Sequence, residues 1–528
     1  MSVPAGAGLP RRSGGREPGD RRCRLAALLC LAVLAVSRYP FIHYGFELNK
    51  DESQMMALSM RMVGDWVPWS AASTETNGPF LTAFLSLFRA AGLPVTYPLV
   101  HFWAVLAHAL TLFLGWRVGA RLAGERAALA GLAAVALTLA ASVGGDFVHF
   151  STELFPMLFL AAGLLTLVGE GGRAVMVPWR LFAGGFLVGL VPWAKLQAGP
   201  LALAVCAWLA FSLAQEPGPG AGRWKRALSL LALAAAGVWT PTLLMLLTCA
   251  LGGSLGLMWD CYFVFNLAYA GERSLGALLD ALALLATVPW VTAFLWLALL
   301  ALPLSGAQLF AAPRRAGLFL VLALVGAGLY AVARSQYPFP HYQILLLAPC
   351  ELACALFAAG LTRGDGWRGL PLVRLGRVFL PAALLCLCLV QAVQGNREGW
   401  AMALGGPPQA GLPASQLSDR VAAVVPRGGT LLVWGWHPGL YVDLDAKPAT
   451  RYGHHGRLVI DSPAREHLRR CFLEDLQASA PGHVVLMDDG FWFGRGNDRP
   501  FPELQAYLDA HYEPAGAGAQ FSVLRRKD

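Results

Sequence analysis

The sequence predicts a polytopic α-helical membrane protein with a small C-terminal α/β domain. Of its 528 residues, 56% are hydrophobic and only 14% are charged, and the mean hydropathy is +0.53. Apolar runs of about 20 residues, the length that crosses a bilayer as a helix, recur along the chain. The net charge of +9 comes largely from basic residues in short loops between these runs. That placement is a membrane-topology signal and does not favour nucleic-acid binding.

The first apolar run, residues 25–42, follows an arginine-rich leader. We expect residues 1–24 to be disordered and cytoplasmic, because basic flanks stay on the cytoplasmic side of a membrane. The run lacks a small-residue cleavage site and is interpreted as a retained signal-anchor. The following loop, residues 43–96, is then on the opposite face.

A short apolar stretch at residues 80–91 decides the remaining topology. Its length of about 12 residues is too short to cross a hydrocarbon core of about 30 Å, so we predict a juxtamembrane helix at the outer interface. With that assignment the basic clusters of the later loops all become cytoplasmic. These clusters are Arg117/Arg121/Arg126, Arg173/Arg180, Arg223/Lys225/Arg226, Arg314/Arg315 and Arg363/Arg368/Arg374/Arg377.

This topology comprises about eleven transmembrane helices within a domain at residues 25–395. The N-terminus is cytoplasmic and the C-terminus lies outside. The predicted spans are 25–42, 97–117, 126–144, 149–168, 180–194, 197–215, 227–250, 277–303, 316–333, 340–361 and 378–395.

The last segment, residues 396–528, differs sharply in composition. It is polar, contains Pro and Gly, and has no further run long enough to span a membrane. Short runs of β-forming residues alternate with helical patterns, which predicts a small extracytoplasmic α/β domain. The strand candidates are Thr430–Trp436, His483–Met487 and Gln520–Leu524, and the helix candidates are Ala464–Gln477 and Pro502–His511.

Polar residues collect at the predicted outer ends of the spans. An acidic pair, Asp51 and Glu52, directly follows the first span. Acids held at a membrane surface suggest chemistry more than anchoring. The full set is Asp51, Glu52, Asp65 and Glu75; Asp146, His149 and Glu153; Lys195; Asp260 and Asn266; and Arg334, Tyr337, His341 and Tyr342.

An extracytoplasmic site has no ready supply of nucleotide sugars or ATP, and enzymes there often use lipid-linked donors. Such a donor needs an apolar groove for its tail, cations for its phosphate and a base for the acceptor. Asp or Glu can supply the base, and Lys, Arg and His can bind phosphate and stabilise developing charge. The outer polar set contains all of these groups.

Several segments, in this order, resemble the GT-C membrane glycosyltransferases. The acidic pair lies in a segment similar to their first external loop, and the resemblance covers most of the chain. The segments are FELNKDESQMMALSMRMVGDWVPW (46–69), TETNGPFLTAFLSLF (74–88), HFSTELFPMLFLAAGLL (149–165), PWAKLQAGPLAL (192–203), YPFPHYQILLLAP (337–349) and, for the outer domain, LLVWGWHPGLYVDLDAKPATRY (431–452).

The resemblance, which extends to lipid A aminoarabinose transferases and protein O-mannosyltransferases, implies inverting transfer of a sugar from a polyprenyl phosphate. The acceptor is a lipid, glycan or protein, and a bacterial plasma membrane is favoured. Asp51 matches the catalytic base or acceptor-orienting residue of the pattern, with Glu52 in support. No cofactor is predicted, and metal dependence stays open. The predicted substrate contacts are Glu75, Asp146, Glu153, Lys195, Asn266, Arg334, His341 and Tyr342.

The chain departs from the family pattern at one position. Many relatives have Lys before Pro-Pro, whereas this sequence has Asn77-Gly78-Pro79. The donor contact expected there has no lysine, and Lys195 and Arg334 are the candidates to replace it.

Other functions fit the same composition. A transporter or lipid flippase would show internal repeats and helices broken in matching halves, and we find no convincing repeat. A catalytically inactive GT-C scaffold would bind lipid phosphate without transfer, and the Asn77 departure keeps that reading open.

Each candidate residue also has a structural interpretation. Asp51 could cap a helix, Glu153 could complement a helix dipole, and Lys195 could extend to the interface. His341 and Tyr342 could belong to an aromatic belt. Buried polar residues within spans are more often satisfied by neighbouring helices, and tail residues without ligand spacing predict no metal site. These are His101, His108 and Glu351 in the spans and Asp443, Asp445, His454, His455, Asp488 and Asp489 in the tail.

Overall fold

The protein is a multi-pass membrane protein built mostly of helices. The computed structural model describes residues 18–74, 77–215, 221–269, 276, 279, 283, 287–296, 315–334, 339–363, 371–405, 414–488 and 500–527. In these ranges six helices are long and apolar enough to cross a membrane, or seven if the bent pair Phe379–Gly395 and Arg397–Ala403 is one span.

The predicted count of eleven spans is not confirmed. Three of the predicted spans are helices of only 14 to 17 residues, namely Glu125–Ala141, Leu154–Leu167 and Pro178–Ala194. The predicted span 277–303 lies largely outside the described residues.

The helices that precede the tail are α1 Pro18–Ile42, α2 Lys50–Met62, α3 Phe80–Ala90, α4 Tyr97–Ala123, α5 Glu125–Ala141, α6 Gly145–Val148, α7 Leu154–Leu167, α8 Pro178–Ala194, α9 Gly199–Ala214, α10 Ala221–Leu251, α11 Leu255–Met258, α12 Phe265–Tyr269, α13 Arg315–Arg334, α14 Leu347–Arg363, α15 Pro371–Gly395 and α16 Arg397–Ala403. A π-helical segment, Trp259–Val264, joins α11 to α12. A 3-10 helix, Pro340–Leu346, leads into α14. The stretch predicted as a juxtamembrane helix is α3, which packs on α2.

Close helix contacts in the membrane part depend on glycine. A Cβ atom on Gly189 of α8 would lie 2.2 Å from the carbonyl oxygen of Val238 in α10, and one on Gly237 would lie 2.2 Å from the carbonyl of Phe182. Small residues of this kind let helix backbones approach in a membrane, where packing replaces the hydrophobic driving force.

The tail forms a mixed five-stranded sheet in the order β2-β1-β3-β5-β4. β1 pairs in parallel with β2 and β3, and β5 pairs antiparallel with β3 and β4. The strands are β1 Thr430–Trp434, β2 Lys447–Pro448, β3 His483–Met487, β4 Tyr512–Ala517 and β5 Phe521–Arg526. The helices are α17 Ala414–Ala422, α18 Gly439–Asp443, α19 Gly456–Val459, α20 Arg465–Ser479 and α21 Pro502–His511.

The tail packs directly on the first loop and the membrane part. One buried apolar cluster combines Trp69 and Tyr262 with Tyr452 and Phe472 of the tail. A backbone bridge joins Ser73 to Tyr452. Since the cluster is continuous, the tail is part of one packed structure.

The predicted strand Thr430–Trp436 ends two residues early, at Trp434. The ring of Trp434 contacts two aromatic residues of the tail. It stacks on His455, with ring centroids 4.9 Å apart, and packs against Phe472 inside the tail.

Candidate active site

The helix α2 positions the acidic pair that follows the first span. Asn49 caps this helix, since its side-chain oxygen accepts a hydrogen bond of 3.0 Å from the backbone N–H of Asp51. Asp51 and Glu52 occupy the first turn, where negative charge is stabilised by the helix dipole. Asn49 is the cap residue, so the side chain of Asp51 does not cap the helix.

Asp51, His341 and Asp146 form a cluster that we call the open acid cluster. His341 Nε2 lies 3.7 Å from Asp51 Oδ2, and its Nδ1 lies 2.9 Å from Asp146 Oδ1. The acids keep 21% and 33% of their side-chain surface exposed, whereas His341 is buried at 4%. Asn49 Nδ2 also donates to Asp146 Oδ1 at 3.2 Å. Two acids therefore face one imidazole and still reach solvent.

The environment of Asp146 in the open acid cluster favours its ionised carboxylate. Burial alone would raise the pKa of Asp146, but the hydrogen bond and the charge of His341 outweigh it and lower that pKa. A carboxylate near neutral pH can accept a proton or orient a hydroxyl group.

Glu52, next to Asp51 in the sequence, has a different environment. Its side chain is fully buried. One oxygen accepts from the backbone N–H of Leu48 at 2.6 Å and lies 3.2 Å from His101 Nε2. The other accepts from the backbone N–H of Phe150 at 3.0 Å. Glu52 thus ties α2 to α4 and to the turn before α7, which is the geometry of a positioning residue.

Glu153 and Lys195 form a second buried pair. Lys195 Nζ contacts Glu153 Oε1, donates to Thr152 Oγ1 at 2.8 Å, and lies 4.7 Å from the ring centroid of Tyr342. The lysine is 3% exposed and the glutamate is fully buried. Lys195 ends α8 in an extended conformation, so its side chain is directed from a helix terminus.

The structure brings the departure from the family pattern next to this pair. Asn77 forms an antiparallel backbone bridge with Lys195, and the N–H of Gly78 donates to the carbonyl of Ala194 at 2.9 Å. A Cβ atom on Gly78 would lie 1.5 Å from the carbonyl oxygen of Trp193. Lys195 therefore lies beside the segment that lacks the lysine of the family pattern.

The remaining predicted contacts are less informative. Asn266 donates to the carbonyl of Tyr262 at 2.7 Å, a bond one helical turn away. Arg334 is the last residue of α13. Glu75 and Tyr337 lie outside the described residues. Within the part of the chain that the structure describes, no three His, Cys, Asp or Glu residues are grouped to hold a metal ion.

Sequence reasoning did not select Asn49, Lys50 or Trp436, which also border the site. The Lys50 ammonium lies 5.5 Å from the centroid of Trp436, and the Trp436 ring lies 5.6 Å from that of His454. Asn49 could have been found, because an Asn directly before an acidic first turn is a helix-cap signal. The contact with Trp436 joins positions far apart in the chain and had no local signal.

Comparison with known proteins gives a fold. ArnT from Cupriavidus metallidurans bound to undecaprenyl phosphate superposes with a TM-score of 0.56 at 14% identity, covering 96% of this chain and 98% of that one. The apo ArnT gives 0.55 at 15% identity with the same coverage. An Archaeoglobus fulgidus oligosaccharyltransferase gives 0.48 at 11% identity, covering 88% and 70%.

At these identities the likeness concerns the fold, and the chain has the GT-C fold that the sequence resemblance predicted. No protein-family model matches the sequence. No curated protein matches it either.

Proposed function

We propose that the protein is an integral membrane glycosyltransferase that transfers a sugar from a polyprenyl phosphate to an acceptor hydroxyl, with inversion. The observation that carries this proposal is the open acid cluster in a GT-C fold. Asp51 is exposed enough to meet a substrate and is held 3.7 Å from His341 at the start of a capped helix.

The chemical step balances with these groups. The acceptor oxygen attacks the anomeric carbon of the donor from the face opposite the phosphate. The carbon–oxygen bond to the phosphate breaks, and the polyprenyl phosphate leaves with the bonding electrons. Asp51 orients the acceptor hydroxyl and takes its proton. His341 holds Asp51 and Asp146 in register.

Cations near the open acid cluster would stabilise the departing phosphate. Lys195, His341 and Arg334 are assigned this role, since charge that develops on a leaving group is stabilised by preorganised donors. The lipid tail would lie between spans. ArnT, which shares the fold, has been captured with undecaprenyl phosphate, and this supports a polyprenyl donor. The topology drawn from the arginine clusters places the reaction on the extracytoplasmic face of a plasma membrane.

The test is radiolabelled sugar transfer from a panel of polyprenyl-phosphate sugars, using membranes that contain native protein or Asp51→Asn. We expect the variant to lose transfer by about 10²- to 10⁴-fold, the range of a general base. Its thermal stability should match that of native protein, because Asp51 is partly exposed and its ion contact is long.

A matched control is Asp461→Asn, an acid of the tail that is 59% exposed and paired with Arg465. It should transfer at the native rate. Full transfer by Asp51→Asn would remove Asp51 from the mechanism. Absence of transfer from every donor, with polyprenyl phosphate still bound, would favour an inactive scaffold.

A further inference from the structure

A buried arginine in the first span has no counter-charge in the part of the chain that the structure describes. Arg38 lies four residues before the end of α1, about 6 Å along the helix axis. Its side chain is 1% exposed. Its Nη2 donates to the carbonyl of Leu139 at 2.7 Å, whereas Nε and Nη1 are buried without a hydrogen-bond partner. Among the described residues no carboxylate acts on this guanidinium.

Two histidines share this environment. Arg38 and His149 both lie within electrostatic range of the imidazole of His108. His108 is 2% exposed and His149 is fully buried, and the Nε2 atom of each has no partner among the described residues. His149 Nδ1 lies 3.0 Å from the carbonyl of Gly145, so that nitrogen carries the proton and Nε2 is the unused atom. We call Arg38 with its neighbours His108 and His149 the buried cation cluster, in which the guanidinium carries the charge.

A buried, unpaired charge is costly unless a partner compensates it. Leaving a buried donor unsatisfied costs about 1–3 kcal/mol, and more for a charged group. The buried cation cluster has at least two free donors on a planar guanidinium, which is the geometry that binds the oxygens of a phosphate in pairs. A neutral water would satisfy donors but would leave the charge unbalanced.

We propose that the buried cation cluster is an anion site that binds a phosphoryl group through Arg38, with His108 and His149 alongside. Glu153 already balances the charge of Lys195, so Arg38 would add to the role proposed for Lys195 and would not replace it. Among the described residues no ion pair balances the charge of Arg38.

The buried cation cluster adjoins the open acid cluster. The ring of His149 meets that of His341 edge-on, with centroids 5.4 Å apart, and His341 contacts Asp51. A phosphate that also reaches His149 would be separated from Asp51 by the imidazole of His341. Where the phosphate is that of a lipid-linked donor, the inference rests on the proposed function. A free phosphate would bind through the same chemistry.

The test uses purified full-length protein in detergent and follows thermal unfolding by tryptophan fluorescence. The probes are undecaprenyl phosphate, undecaprenol and inorganic phosphate, each at matched ionic strength. We expect undecaprenyl phosphate to raise Tm with concentration and undecaprenol to have no effect, since binding to the native state alone stabilises it. A shift with inorganic phosphate as well would identify a free anion as a second source.

Arg38→Met should weaken phosphate binding by about 10- to 100-fold, the range for lost hydrogen bonds to a charged group. Its Tm without phosphate should not fall, because removing an uncompensated buried charge relieves a penalty. Arg38→Lys should restore part of the binding. Arg117→Met is the matched control. Arg117 is 35% exposed and lies near the C-terminal end of α4, so this variant should leave the phosphate response unchanged.

The proposal is overturned if no phosphate probe shifts native protein, or if Arg38→Met responds as native protein does. If Arg38→Met does not fold, Arg38→Gln, which keeps hydrogen-bond donors and removes the charge, takes its place with the same expected weakening. The binding test needs no transfer activity. Native protein that transfers sugar but shows no phosphate response would reject this site alone, and native protein that binds phosphate without transfer would reject the proposed enzyme alone.

Discussion

Two kinds of carboxylate lie around the candidate active site, and the contrast between them distinguishes acids suited to chemistry from acids that support the fold. In the open acid cluster, Asp51 and Asp146 remain 21% and 33% exposed around one imidazole. In the closed pairs, Glu52 with His101 and Glu153 with Lys195, the side chains are at most 3% exposed. Asp51 and Glu52 are adjacent in the sequence but belong to different kinds.

The difference lies in unused hydrogen-bonding capacity. Both oxygens of Glu52 are occupied by backbone N–H groups and His101. A carboxylate in that state cannot accept a proton from a substrate without breaking the contacts that hold α2 in place. The side chain of Asp51 does not hold α2 in place through contacts of this kind. An acid pair in a sequence can thus combine one reactive and one positioning residue.

The largest effect expected from this contrast is on stability at the closed pair of Glu153. Lys195→Met leaves Glu153 buried without its counter-charge, and breaking a buried pair in this way costs about 3–5 kcal/mol. The free energy of unfolding, measured by denaturant titration in detergent, should fall by that amount. The double variant Glu153→Gln with Lys195→Met should recover much of it. If Lys195→Met were as stable as native protein, the description of Glu153 and Lys195 as a closed pair would be wrong.

The second effect concerns activity at the open acid cluster. His341→Asn removes the imidazole that sets the spacing of Asp51 and Asp146, and small misplacements of catalytic groups cost up to about 10²-fold in rate. Transfer should fall by about that factor, while the stability loss stays near 1 kcal/mol, the value of a typical hydrogen bond. If His341→Asn lost as much stability as Lys195→Met and kept its turnover, His341 would have a supporting role like the residues of the closed pairs.

The smallest effect is on pH dependence, where two acids of the first loop have opposite signs. Burial raises the pKa of Glu47 to about 7, against the opposing hydrogen bond from Ser53. Burial would also raise the pKa of Glu52, but the charge and hydrogen bond of His101 lower it below its ordinary value of 4.5.

The signs follow from proton binding in the two states. With a folded pKa above the unfolded one, Glu47 contributes stability that is present below pH 4.5 and lost as pH rises to about 7. Glu52 contributes stability that is present above pH 4.5 and lost as pH falls below it. We expect Tm, measured across pH 4 to 8, to depend less on pH at the neutral end in Glu47→Gln and at the acid end in Glu52→Gln. The same slope in both variants would contradict this assignment.

Much of the fold followed from local patterns in the sequence. The bounds of β3 and α21 match the predicted His483–Met487 and Pro502–His511, because alternating or helical apolar spacing with clear ends is a local signal. The strands β2 and β4 were missed. One has two residues, and the other includes Pro514 at a register shift, which is not a strand-like composition.

The sequence allowed residues of the candidate site to be proposed, but it did not allow the contacts between them to be predicted. The topology argument brought Asp51, Asp146 and His341 to one face, and the structure places them in contact. It did not indicate that Glu52 would meet His101, which was interpreted as satisfied within the spans. Pairings across the fold depend on helix rotation and depth, and a hydropathy pattern does not specify either.

The bridge between the first loop and the tail also sets an order in time. Arg61 donates to the carbonyl of Pro448, 387 positions later, and Ser73 bonds to the backbone of Arg451. When Asp51 has left the ribosome, the tail segment that supports the loop around Asp51 has not yet been synthesised. The nascent protein would therefore pass through a fully inserted but unfinished stage, with its acids in place and their loop unsupported. The first loop would gain its full support only after the tail had folded and docked on it.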